Sequence, residues 1–205
     1  STIHTTLQKF HRFELKGQQP SLETLLALYK HDFQPLGYSS EAHRQKRFER
    51  GKEALTAYYQ NYKQQFKGMP TQLEVSFTLR IDSLPLVGRI DRIDRLPDKG
   101  LELIDYKTGA VRSQKEVDKD AQLTVYSMAS QELFGKIPDM LSLYFIDDGV
   151  KVSTTRNKKQ IEEKRTEMIA TIHKIKEGKF EATSGYPMPC GYCPYNQICP
   201  FAKRG

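Results

Sequence analysis

No stretch of this 205-residue chain runs to the roughly 18 consecutive apolar residues that a membrane-crossing helix needs. No charged-then-apolar leader opens it, so nothing in the text points to export. Cysteine is missing from everything before Cys190; the three that exist, Cys190, Cys193 and Cys199, fall in the last sixteen residues. An odd, clustered set makes a poor disulfide framework, and C-x₂-C spacing in a chain without export signals points to metal or redox work. Internal repeats are absent too. What remains is 38% hydrophobic and 28% charged, a balance that suits a folded globular domain. The net charge of +7 favours a polyanionic partner, nucleic acid first. The chain starts at Ser1 and enters a helical pattern at once, so we expect it to be a piece of a longer protein.

Positions 3–66 carry helical periodicity. Pro20-Ser21 followed by Glu23 is a helix-start signature, with Leu22, Leu25, Leu26 and Tyr29 at helical spacing. A longer helix is expected over 41–66, ended by Gly68 and Pro70. The period then switches to two. Leu73, Val75, Phe77 and Leu79 alternate with polar residues, as do the residues of 86–95, and 101–106 is a third strand after the Pro97-Asp98-Lys99-Gly100 turn. One helix is expected over 115–134, a strand over 141–146 with a candidate partner at 150–154, and a last helix over 158–177. We therefore expect an α/β fold with a mixed central sheet. It divides into an N-terminal helical portion (1–70), a core (71–180) and a Cys-rich tail (181–205).

If the second and third strands form a hairpin, Asp91 and Asp105 come side by side. Asp105 and Lys107, two apart on one strand, share a face. Paired carboxylates bind hard divalent cations such as Mg²⁺. Such a cation lowers the pKa of a bound water and neutralises a phosphate under attack, and a nearby ammonium can steady the developing anion. The plain alternative is a surface hairpin with ordinary salt bridges. Against it stands Leu103-Ile104, because a buried strand does not end in acid and lysine without reason. Asp94, an odd number of residues from Asp91, faces the other side and is expected to be structural. Glu74, ahead of the hairpin, is a further acid that could support the pair.

Gly88-Arg89-Ile90-Asp91, Ile104-Asp105-Tyr106-Lys107-Thr108-Gly109 and Gln122-Leu123-Thr124-Val125-Tyr126, in that order, resemble the RecB-type branch of the PD-(D/E)xK nucleases. The resemblance covers nearly the whole chain. It implies a restriction-endonuclease-like core and metal-dependent hydrolysis of DNA, exonucleolytic rather than endonucleolytic. The metal, Mg²⁺ or Mn²⁺, would be held by Asp91, Asp105, the Tyr106 carbonyl and His4, with Lys107 as the catalytic lysine. Gln122 and Tyr126, four apart on one helix face, would join the catalytic residues, near the DNA backbone and the active site. The tail Cys190-x₂-Cys193-x₅-Cys199 is similar to the tails that hold a [4Fe–4S] cluster in these nucleases, with a fourth cysteine expected upstream of Ser1. Thiolate clusters of this kind hold zinc or iron–sulfur. The partners implied are DNA, single-stranded or at duplex ends, and a helicase domain in the same or another chain. The implied setting is the cytoplasm, in DNA repair or recombination. Two rival readings are a catalytically silent DNA-binding module of the same fold and a metal-stapled interaction domain.

Overall fold

A computed structural model describes residues 2–180 and 190–202 of the chain. It divides into two compact units, Ser1–Lys164 and Arg165–Gly205. The first opens with three helices, α1 (Thr2–Leu15), α2 (Leu22–Asp32) and α3 (Glu41–Gln65). The Ser21 hydroxyl caps α2 by accepting from the Thr24 amide, and Ser40 does the same for α3 at His43.

Strands β1 (Met69–Ile81), β2 (Leu84–Arg95), β3 (Leu101–Lys107), β4 (Met140–Phe145) and β5 (Val150–Thr154) form one sheet in that order. The β3–β4 pair is parallel and the other pairs are antiparallel. The sheet is thus mixed and flanked by helices, the restriction-endonuclease-like arrangement that the sequence pattern suggests. β3 and β4 are buried along almost their whole length, as the continuous apolar runs around them require.

One departure concerns the helix expected over 115–134. It is two helices, α4 (Gln114–Val117) and α5 (Ala121–Phe134), broken at 118–120. Caps cause the break. Ser113 and Glu116 close a capping box on α4, and the Asp120 carboxylate accepts from the Leu123 amide to start α5 afresh. Gly135, at φ 70°, ends α5 in the left-handed conformation that glycine adopts without strain. The last helix, α6 (Lys158–Lys176), begins in the first unit, where Ile161 is buried, and runs into the second. Cys190–Tyr192 form a short 3-10 turn in the second unit. The first nine residues of the expected tail, 181–189, lie outside the described residues.

The helices of the N-terminal portion cover one face of the sheet. Leu7, Phe10, Leu25, Leu55 and Tyr58 are fully buried there with Ile104 and Tyr144. Burying each such side chain contributes about 1.5–3 kcal/mol. Tyr58 stacks on Tyr62 and meets Tyr106 and Tyr144 edge-on. α5 covers the opposite face against β1 and β4.

A buried polar knot lies between α1 and the sheet. Arg92 makes a two-pronged pair with Asp94, at 2.6 and 2.7 Å, and neither side chain is more than 1% exposed. Its third nitrogen donates to His11 Nε2 at 3.1 Å and to the Tyr58 hydroxyl at 3.2 Å. His11 Nε2 also accepts from Tyr58 at 2.6 Å, so the ring's proton sits on Nδ1 and points at Glu14, 2.5 Å away. Burial and then the Arg92 charge push the His11 pKa down to about 4 from an ordinary 6.5. Glu14 is also buried, which opposes ionisation, but His11, Tyr62 and Arg92 outweigh that and hold its pKa low.

Both shifts act in the same direction on stability. Below the ordinary imidazole value the unfolded chain takes up a proton that folded His11 refuses. Glu14 likewise loses its native advantage as it protonates. Stability should therefore be full at neutral pH and fall as pH drops from about 6.5 towards 4, by roughly 2–3 kcal/mol from His11 alone. Urea melts at pH 7 and pH 4.5 measure this. An identical midpoint at both would mean that His11 is not held neutral.

Candidate active site

The Arg92↔Ile104 register of β2 and β3, carried one residue further, sets Asp91 opposite Asp105. The two acids lie on the face of the sheet away from Arg92 and Asp94. Asp105, 6% exposed in its side chain, is held by three side chains. Its Oδ1 accepts from Tyr126 at 2.7 Å and from Gln122 Nε2 at 2.7 Å, both on α5. Its Oδ2 lies 2.6 Å from the Lys107 ammonium as an ion pair, and no directed hydrogen bond reaches that buried oxygen. Lys107 also donates to Gln122 Oε1 at 2.6 Å. Lys107, Gln122 and Tyr126 thus form a closed ring around one carboxylate. Burial and then the neighbouring Asp91 charge raise the Asp105 pKa. Burial and then Asp105 push the Tyr126 hydroxyl up, so it stays a donor.

Asp91 is positioned separately. Its Oδ2 accepts from the Tyr106 amide at 2.9 Å and lies 3.3 Å from His4 Nε2. His4, on the first turn of α1, donates to the Tyr106 carbonyl at 2.8 Å. The hydrogen bond to Asp91 raises the His4 pKa against the opposing effect of burial. The Tyr106 backbone therefore holds Asp91 and His4 together: its amide serves Asp91, and its carbonyl meets His4.

Gly88 has a steric role. A Cβ there would fall 2.4 Å from the Phe77 ring. That ring lies edge-on to Tyr126 at 6.0 Å, so the glycine lets Phe77 back up the tyrosine that holds Asp105.

Glu74 stands closer to the site than its sequence position alone suggests. The β1–β2 register pairs Leu73 with Arg92 and Val75 with Ile90, which leaves Glu74 across from Asp91. Glu74 has φ 53°, a conformation costly for a side chain with a Cβ. It pairs with Arg89 at 3.1 Å, and burial and then Asp91 raise its pKa. The strand alternation hid this, because the left-handed residue interrupts the period.

His4 is brought to Asp91, and Lys107, Gln122 and Tyr126 are brought to Asp105. Among the described residues, no three His, Cys, Asp or Glu side chains converge as a ready metal cage. Cys190, Cys193 and Cys199 are half-buried free thiols of the second unit. Among the described residues they too form no such group.

The sequence model of the PD-(D/E)XK nuclease superfamily matches residues 1–200. The chain belongs to that superfamily. Among solved structures, a protein described as a candidate exonuclease from Eubacterium rectale is similar. Its TM-score is 0.51 at 16% identity, over 98% of this chain and 76% of that one. A protein called SSO0001 matches with a TM-score of 0.41 at 14% identity, over 97% and 84%. At such identities the likeness concerns the fold. No curated protein matches the sequence. Within a nuclease superfamily, the acid pair and its lysine acquire a chemical context that a surface hairpin would lack.

Proposed function

We infer that the chain is a divalent-metal-dependent deoxyribonuclease, exonucleolytic rather than endonucleolytic, that hydrolyses a phosphodiester with an activated water. The observation that carries this reading is the Asp105 carboxylate, buried, with Lys107 and Gln122 on it and Asp91 opposite. The donor set fits a hard cation. It offers two carboxylates, one carbonyl and one imidazole, and the buried Asp105 Oδ2 meets only the Lys107 ammonium. Asp91, Asp105, the Tyr106 carbonyl and His4 would hold Mg²⁺ or Mn²⁺. When bound, the ion would make a bound water acidic and neutralise phosphate charge. The Lys107 ammonium, fixed between Asp105 and Gln122, is placed to steady charge building on the phosphate oxygens. Tyr126 and Gln122 hold Asp105 at a single orientation, which is the preorganisation that such chemistry rewards. The +7 net charge suits a DNA substrate, single-stranded or at ends. A helicase partner, a place in DNA repair or recombination, and the cytoplasm as its setting belong to the same reading.

Labelled single-stranded DNA incubated with Mn²⁺ or Mg²⁺ should be cut, and EDTA should stop the cutting. Asp105→Ala should weaken Mn²⁺ binding in calorimetry by more than the ~10–100-fold typical of disturbing an outer-shell group. Equal binding by both proteins would put the metal elsewhere.

For the tail, Cys190, Cys193 and Cys199 would give three thiolates to a [4Fe–4S] cluster completed by a cysteine outside this chain. The present chain should carry little iron, and one extended upstream should carry iron and absorb broadly near the violet. Zinc in the extended chain would remove the cluster and leave the nuclease reading intact.

A further inference from the structure

A pocket of about 220 Å³ opens between the start of α1, the α2–α3 connection and the exit of β3. Ile3, Phe33 and Tyr38 supply an apolar wall, and Arg47 and Arg50 lie along α3. Phe33 and Tyr38 stack, with centroids 5.7 Å apart and planes 14° off parallel, so the wall is a fixed aromatic surface. Two of its residues tie it to the proposed reaction centre. Ile3 precedes His4, and Thr108 follows Lys107. The lining thus includes a chain neighbour of each.

The charges are uneven. Arg50 is paired with Asp147 at 2.9 Å, and Asp147 is the one acid in the lining among the described residues. Arg47 is exposed and has no ion-pair partner among the described residues. One spare guanidinium, three residues from a second on the same helix, faces the space beside an aromatic wall. Arginine suits phosphate, and ring surfaces accept any base because every base has a π-face. The volume is below the ~300–1,000 Å³ of a drug-sized site, which suits one nucleotide and not a run of them.

We propose that this pocket seats the nucleotide next to the phosphate under attack in single-stranded DNA, its base against Ile3, Phe33 and Tyr38 and its phosphate on Arg47. The proposal rests on the nuclease reading and extends it to how the substrate is gripped. A duplex holds its bases stacked and paired, so only an unpaired strand can offer a base to this wall. The pocket therefore selects strand state and not sequence. Asp147 limits the grip, because its carboxylate occupies Arg50 and repels phosphate.

Anisotropy of a fluorescein-labelled twelve-residue thymidylate, in EDTA and across a potassium chloride series, tests this without turnover. Arg47→Ala should weaken binding and reduce the salt slope by about 0.7, the share of one single-strand phosphate contact. Tyr38→Ala should weaken binding by about 5- to 100-fold, the loss of one stacked base. Tyr38→Phe should bind like the wild type, which separates loss of the ring from misfolding. Asp147→Asn should bind more tightly, a change that a merely structural residue would not give. Wild-type affinity and salt slope in both Arg47→Ala and Tyr38→Ala would overturn the proposal. So would effects confined to the matching oligouridylate. Cleavage of the same DNA by the wild type with Mg²⁺ scores the nuclease reading separately. Cleavage with unaffected variants removes the pocket alone, and a wild type that neither binds nor cuts removes both.

Discussion

Lys107→Ala should cut DNA cleavage by about 10²–10³-fold, the loss typical of removing an electrostatic stabiliser, while single-strand binding stays within about twofold of wild type. The Lys107 ammonium is 2.6 Å from Asp105 Oδ2 and 2.6 Å from Gln122 Oε1, so its place is set before any substrate arrives. A group so fixed spends little of its interaction energy on ground-state affinity. Its effect belongs to charge that develops later, and its loss should appear in kcat and kcat/KM together with KM little changed. The alternative is a lysine that merely neutralises a buried acid. That would show as a lower melting temperature with turnover nearly kept. Single-turnover cleavage and thermal melts of the same protein decide between them. A variant that keeps more than about a tenth of the rate would overturn the assignment.

Arg92→Ala should be the most damaging single change to stability. The Arg92–Asp94 pair is sealed from water and its hydrogen bonds are nearly all made internally. Removing one partner leaves a buried carboxylate without its counter-charge, which costs about 3–5 kcal/mol. The change also opens a gap under Phe66, whose ring lies 4.7 Å from the guanidinium. For a chain of this size each kcal/mol is worth about 2–4 °C, so the melting temperature should fall on the order of 10 °C. Arg92→Met with Asp94→Leu should regain most of the loss, because apolar side chains of similar size leave nothing unpaired. If the double variant melts no higher than Arg92→Ala, the penalty comes from packing and not from the stranded charge.

The sequence made some of this readable, and the reasons are physical. Asp91, Asp105 and Lys107 could be placed together because the turn marked by Pro97 and Gly100 pairs β2 with β3, and residues two apart on a strand share a face. The 3.6 period likewise put Gln122 over Tyr126. Asp94 could be assigned to the opposite face, yet nothing in the text showed that Arg92 would be buried with it. Arginine is ordinarily a surface residue, and only the depth of α1 and α3 over the sheet encloses it. The break at 118–120 was hidden because helix-forming residues flank it and the decision falls to two caps. The place of Glu74 across from Asp91 was hidden because one left-handed residue shifts it out of the strand's rhythm.

The contact between His4 and the Tyr106 carbonyl joins residues 102 positions apart. Closing so long a loop carries an entropic cost that only a nearly complete native structure repays. The site is therefore complete only when α1 is docked against the end of β3. A chain still emerging from synthesis, or one opened by partial unfolding, would carry every reacting group and yet be harmless to the nucleic acid around it. Topology alone thus gives the cell a safety catch on a destructive chemistry.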